Sequence, residues 1–176
     1  MTLPNKLSIA RIFLVPIIVT LILTNFSMRL ALFVFLLAAL TDWLDGYIAR
    51  KSKQITTLGK LLDPMADKLL ICSALISLVE IARAPAWIVV IIVCREIAIT
   101  GLRSVAASKG AVIAASKLGK YKTIGEILAV SFLILNEPPM NKFFLGEILL
   151  WIAMALAIIS GIEYVIKFNR QVKLTI

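Results

Sequence analysis

Residues 30–50, LALFVFLLAALTDWLDGYIAR, and residues 59–67, GKLLDPMAD, join an apolar run to a group of aspartates. No polar side chain interrupts the run from Leu30 to Leu40. With the turns that follow it, the run approaches the roughly 20 residues that a helix needs to cross a bilayer. Ionisable groups at such a place are costly, and they usually face a bundle interior or a water-filled cavity. The stretch therefore predicts a helix in lipid with a polar site at its end.

The composition of the whole chain agrees with this interpretation. The 176 residues are 61% hydrophobic, and the mean hydropathy of +1.00 lies outside the range of ordinary soluble domains. The net charge of +9 does not indicate a nucleic-acid-binding protein, because the basic residues flank apolar segments and form no patch with interleaved aromatics. Cys72 and Cys94 lie in apolar runs without a CxxC motif, and the chain has no histidine. Both cysteines are predicted to be small core residues.

Six apolar segments predict an all-α integral membrane protein, a six-helix bundle formed by one domain over residues 1–176. The predicted spans are Leu7–Leu23, Leu30–Ile48, Leu61–Ile81, Ala86–Leu102, Leu118–Leu135 and Phe143–Phe168.

The basic residues predict the orientation of this bundle. Of the 19 lysines and arginines, only Arg29, Arg83 and Lys142 fall on one of its two sides. Because basic residues are enriched on the cytoplasmic side, both termini and the aspartates are expected at the cytoplasmic face of the cell membrane.

Four aspartates have a spacing that favours a shared site. Asp42 and Asp45 are three residues apart, and Asp63 and Asp67 are four apart, so each pair lies on one face of its helix. The loop at residues 51–58 would return the second of these helices beside the first. Four converging carboxylates would repel one another unless cations lay between them. Oxygen-only ligands favour Mg²⁺ or Mn²⁺, and two ions could share the four aspartates.

Small residues accompany the aspartates on the same surface. Gly46, Ala49 and Gly59 leave room for a flat or phosphorylated ligand, and Arg50 supplies a fixed charge for phosphate. The alternative is a set of solvated charges at helix ends with glycines that serve packing. That alternative fits one pair of aspartates better than it fits the full array.

The array resembles the pattern of the CDP-alcohol phosphotransferase family, D-x-x-D-G-x-x-A-R, eight residues, then G-x-x-x-D-x-x-x-D, at every specified position. The resemblance implies that Asp42, Asp45, Asp63 and Asp67 hold two metal ions, and that Asp67 is also the general base. It further implies transfer of a phosphatidyl group from CDP-diacylglycerol to an alcohol with release of CMP, by a homodimer. Under this resemblance, the CDP-diacylglycerol site would include Asn5, Gly46, Ala49, Arg50 and Gly59.

A second basic cluster is the candidate site for the acceptor alcohol. Arg95 lies in an apolar span beside Glu96, a possible partner, and Arg103 follows about two helical turns later. Several donors near the start of the fifth helix suit a phosphate monoester. The residues predicted to bind glycerol 3-phosphate are Lys60, Arg95, Arg103, Lys117, Lys120 and Lys122. The segments CREIAITGLR and SKLGKYKT are similar to the branch of the family that uses sn-glycerol 3-phosphate, the bacterial phosphatidylglycerophosphate synthases.

Three other functions remain open at this point. A phosphatidylinositol-phosphate synthase would also need a basic pocket for a phosphorylated acceptor. A divalent-cation transporter would explain aspartates in a membrane, although its ligands are expected near the midplane and often on repeated helices. A non-catalytic scaffold would leave the aspartate array unexplained.

Overall fold

Six α-helices make up the regular structure that the computed structural model describes, within residues 3–52, 57–110, 117–135 and 143–173. Side chains are described for residues 7–41, 64–110, 118–135 and 144–171. The helices are α1 (Leu3–Leu23), α2 (Met28–Ser52), α3 (Thr57–Glu80), α4 (Ala86–Ser108), α5 (Lys117–Ile134) and α6 (Phe143–Lys173). The six predicted helices and the all-α class are thus confirmed.

The turn from α3 to α4 shows how the sequence ends one helix and begins the next. Ala82 adopts a left-handed backbone with φ 54°, and the Arg83 N–H donates back to the Leu78 carbonyl at 2.8 Å. This geometry satisfies carbonyls that a helix end otherwise leaves without donors. Pro85, with φ −65° and ψ 124°, precedes the first residue of α4. A proline there cannot continue α3, and its fixed φ suits a helix start.

One buried apolar cluster joins all six helices. α1 packs mainly on α3 and α2, while α6 packs on α5 and α4. The cluster includes Ile18, Phe35, Leu75, Ile92, Leu133 and Leu150, one from each helix, and all are at most 2% exposed.

The surface of the bundle is more apolar than parts of its interior. Phe13, Phe33, Ile97 and Phe144 are each more than 60% exposed, whereas Glu96 and other charged side chains are buried. This inverted distribution is expected of a protein surrounded by lipid.

Length and composition identify the helices best suited to cross a membrane. Within the described residues, one segment, Phe144–Gln171, is both long and apolar enough, and Leu7–Leu23 and Met28–Thr41 are shorter apolar segments. The number of spans therefore stays a prediction.

Gly146 of α6 packs closely against Leu133 of α5. A methyl group at this position would lie 3.0 Å from Leu133 Cδ2 and 3.2 Å from the Leu133 backbone nitrogen. Leu133 is 1% exposed and has little room to move.

We expect Gly146→Ala to lower stability by about 1–3 kcal/mol through overpacking, measured as the melting temperature in detergent. Gly101→Ala is the matched control, because a methyl group there meets nothing within 4 Å; equal melting temperatures for the two variants would contradict this account.

Candidate active site

The predicted metal site lies on α2 and α3, which contact each other in the bundle. Asp42 and Asp45 fall within α2, and Asp63 and Asp67 fall within α3, so the helices on which their spacing depends are present. Asp67 is half-buried. The side chains of Asp42, Asp45 and Asp63 lie outside the described residues. Among the side chains described, no three His, Cys, Asp or Glu residues form a metal-binding group, so the four-aspartate centre stays a prediction.

The residues predicted to bind CDP-diacylglycerol also lie on helices near this region. Their backbones belong to α1, α2 and α3, and their side chains lie outside the described residues; they are Asn5, Gly46, Ala49, Arg50 and Gly59. The backbones of Lys60, at the start of α3, and of Lys117, the first residue of α5, also belong to helices. The side chains of these two lysines also lie outside the described residues.

A buried group of four charged residues, here called the charged cluster, joins α4 to α5. Glu96 Oε1 lies 2.5 Å from Arg95 Nη1 and 2.5 Å from Lys122 Nζ. Lys122 Nζ also lies 2.7 Å from Glu126 Oε2. Lys122 is 3% exposed and Glu126 is 1% exposed. The two positive and two negative charges balance, which an apolar bundle requires of charges that it buries.

Arg95 extends the charged cluster to α6. Its Nε donates to the Ala157 carbonyl at 3.2 Å, and its Nη2 donates to Ser160 Oγ at 2.9 Å. Gly161 lies beside the Arg95 side chain, since a methyl group there would lie 3.4 Å from Arg95 Cγ. The Arg95 guanidinium thus links α4 to α6, and the Glu96 carboxylate beside it links α4 to α5.

Another polar contact, separate from the charged cluster, joins α3 to α4 close to Asp67. Lys68, the next residue after Asp67, donates from Nζ to Thr100 Oγ1. The Thr100 hydroxyl in turn donates to the Glu96 carbonyl at 2.6 Å. Lys68 therefore contacts α4 at Thr100, one helical turn after Glu96.

The predicted acceptor-binding residues fall into two groups by exposure. Arg95 and Lys122 meet at the Glu96 carboxylate, inside the bundle. Arg103 and Lys120 are exposed, and the Arg103 guanidinium lies 5.9 Å from the centre of the Tyr164 ring. A cation over an aromatic face is held in place without being paired with a carboxylate, so its charge can still meet a phosphate. Arg103 and Lys120 are therefore the better placed of these four to meet a phosphate, and direct contact by Arg95 or Lys122 stays a prediction.

Sequence reasoning found part of the charged cluster and missed the rest. Glu96 was named as a possible partner of Arg95, and the two are paired. Glu126 lies four residues after Lys122, a spacing at which ion pairs form on a helix, so the sequence did carry a signal for it. Neither the Ser160 contact nor the Thr100 contact has a sequence signal, because both depend on which helices become neighbours.

Lys122 is expected to be essential for stability. Lys122→Met would leave the Glu126 carboxylate buried without its cation, and breaking a buried pair in this way costs about 3–5 kcal/mol. The melting temperature in detergent should fall by roughly 6–20 °C. Adding Glu126→Gln to Lys122→Met should recover part of the loss, because the buried charge is then removed. Lys120→Met makes the same change at an exposed position and should melt as the wild type does; a wild-type melting temperature for Lys122→Met would contradict the role of the pair.

Most of the chain is similar to known proteins. The model of the family described as CDP-alcohol phosphatidyltransferase matches residues 1–159. A CDP-diacylglycerol–glycerol-3-phosphate 3-phosphatidyltransferase of Bacillus subtilis (strain 168) is 45% identical over 181 residues, which cover 94% of each chain. Proteins of the same name from Rickettsia typhi and, with the suffix 2, from Arabidopsis thaliana are 41% and 34% identical; they cover 92% and 96% of this chain, and 94% and 80% of their own lengths.

The aspartates on α2 and α3, the all-helical bundle and these matches agree with one another. The protein belongs to the CDP-alcohol phosphatidyltransferase family.

Proposed function

We propose that this protein transfers the phosphatidyl group of CDP-diacylglycerol to sn-glycerol 3-phosphate, giving phosphatidylglycerophosphate and CMP for phosphatidylglycerol synthesis. The observation that carries the proposal is the 45% identity, over 94% of both chains, to a protein named for this reaction. The complete aspartate array in residues 42–67 supports the same chemistry.

The aspartates would supply the reactive centre. Asp42, Asp45, Asp63 and Asp67 would hold two Mg²⁺ or Mn²⁺ ions, which when bound would neutralise charge on the pyrophosphate. Asp67 would take the proton from the acceptor hydroxyl, and the hydroxyl oxygen would bond to the phosphorus that carries diacylglycerol. The bond from this phosphorus to the bridging oxygen breaks, and the electron pair leaves with CMP.

The donor nucleotide would lie against the small residues of α2 and α3. Gly46, Ala49 and Gly59 would admit the nucleotide, with Arg50 on its phosphates and Asn5 nearby on α1. The half-buried position of Asp67 agrees with a base that must meet both this donor and a water-soluble acceptor.

Exposed basic residues would bind the acceptor phosphate. Arg103 and Lys120 are accessible, and Lys60 and Lys117 lie at the starts of α3 and α5. Arg95 and Lys122 are engaged with Glu96, which favours a supporting contribution through the helices they join. A doubly charged phosphate is the acceptor group that this surplus of cations suits best.

The proposal also places the protein in the cytoplasmic membrane, as six spans with both termini and the active site facing the cytoplasm. The exposed apolar side chains and buried charges of the bundle support a lipid environment. A homodimer, as the family resemblance implies, is part of the proposal.

Release of CMP is the direct test of this function. Purified protein with CDP-diacylglycerol and Mg²⁺ or Mn²⁺ should release CMP only when glycerol 3-phosphate is added, and chelation of divalent ions should abolish release. Asp67→Asn should lower kcat by roughly 100-fold or more, because the general base is lost. Glu80→Gln, an exposed change on the same helix, should leave kcat unchanged. A preference for inositol phosphate, or ion flux without CMP release, would replace the proposal with a competing function.

Arg103 should determine the affinity for the acceptor. Arg103→Ala removes an exposed cation from the proposed phosphate site and should raise the KM for glycerol 3-phosphate by roughly tenfold. The KM for CDP-diacylglycerol should stay within about twofold of the wild-type value. Lys109→Ala, which removes an exposed charge at the end of α4, should leave both constants unchanged. Equal effects of the two variants would indicate a general effect of surface charge instead.

A further inference from the structure

We propose that Lys68 is a positioning residue that sets the direction of the Asp67 carboxylate by tying α3 to Thr100 of α4. The inference rests on the proposed function, since it concerns the residue that would act as its general base. Lys68 could contact a substrate or anchor α3, and its contact with Thr100 favours the anchor.

The hydrogen bonds at the Thr100 hydroxyl show which group donates and which accepts in its contact with Lys68. The Thr100 hydroxyl donates its one proton to the Glu96 carbonyl at 2.6 Å. Its oxygen lone pairs are then available to accept a hydrogen bond, and Lys68 Nζ is the donor. Lys68 is half-buried, so its ammonium has fewer water molecules to exchange for this acceptor.

Thr100 is a firm anchor because α4 is itself held on two sides. Arg95 binds the Ala157 carbonyl and Ser160 of α6, and Glu96 binds Lys122 of α5. The residue that accepts from Lys68 thus lies four positions from a carboxylate whose partners cannot move without separating buried charges.

The part of α3 that carries Asp67 needs such a tie. Pro64 lies inside α3, and a proline there removes one backbone hydrogen bond and favours a kink. α3 packs mainly on α1, and its contact with α4 is smaller. A polar contact at Lys68 therefore adds a link to α4, with which α3 has less contact than with α1.

Adjacent helical positions make the coupling between Lys68 and Asp67 direct. They are separated by about 100° around the helix axis, so holding one fixes the rotation of the other. A carboxylate roughly 5 Å from the axis moves roughly 1 Å when the helix turns by about 10°. A displacement of about 1 Å can cost up to roughly 100-fold in rate.

The charges around Lys68 agree with a supporting role. Glu96 and Asp67 attract its ammonium, while Arg103 and Lys122 repel it. The Lys68 ammonium is therefore close enough to interact with both the charged cluster and Asp67, and its contact with Thr100 ties α3 to the helix that carries Glu96.

A double-mutant cycle separates positioning from substrate contact. Lys68→Met and Thr100→Val should each lower kcat by roughly 10- to 100-fold, with KM for both substrates within about twofold. The double variant should be no slower than the slower single variant, because both changes break one contact. Thr100→Ser keeps the hydroxyl and should restore kcat to within about twofold of wild type. Thr20→Val is the matched control, since Thr20 also donates to the carbonyl four residues earlier but lies in α1.

Other results would overturn the inference. Additive losses in the double variant, or a raised KM for glycerol 3-phosphate in Lys68→Met with a normal Thr100→Val, would mean that Lys68 contacts the substrate. Thr100→Val alone carries the test if Lys68→Met fails to fold, because it leaves Lys68 in place and a normal kcat would reject positioning.

Amide hydrogen exchange tests the same contact without any reaction. Exchange over residues 65–72 should be roughly tenfold faster in Thr100→Val than in Thr20→Val, because α3 loses a constraint. Unchanged exchange would overturn the inference even if the proposed reaction were confirmed. Conversely, faster exchange in a protein that releases no CMP would reject the proposed function and leave the tie between α3 and α4 standing.

Discussion

The Glu96 carboxylate, held between Arg95 and Lys122, is the interaction on which the rest of the interior depends. An apolar bundle can bury charges only if they are paired. Glu96 meets one cation from its own helix and one from α5, and Arg95 carries the connection to α6. The relative placement of three helices is therefore fixed by charge as well as by apolar packing.

This requirement divides the four described residues of the proposed acceptor site into two kinds. Arg95 and Lys122 are paired with Glu96 inside the bundle, whereas Arg103 and Lys120 are exposed. A phosphorylated acceptor would meet the exposed cations, and the paired ones would hold the helices that present them.

The helix that carries Asp67 illustrates how structure and chemistry are connected. α3 contains a proline three residues before Asp67, and its apolar packing is mainly against α1. The contact from Lys68 to Thr100 adds a polar link to the helix that the charged cluster already fixes. The segment that carries Asp67, the proposed general base, is thereby linked to α4 and, through the charged cluster, to α5 and α6.

The sequence by itself determined the six helices, the family and the chemistry proposed for its aspartates. Apolar runs, helix-ending turns and residue spacing are local properties, and each helix can be identified without its neighbours. Glu96 was also foreseeable as a partner of Arg95, because a guanidinium in an apolar span needs a nearby carboxylate. Only the tertiary structure decided that Lys122 pairs with Glu96, that Arg95 donates a hydrogen bond to Ser160, and that Lys68 donates one to Thr100. These contacts join residues 26, 65 and 32 positions apart, and no local pattern specifies which faces of distant helices meet.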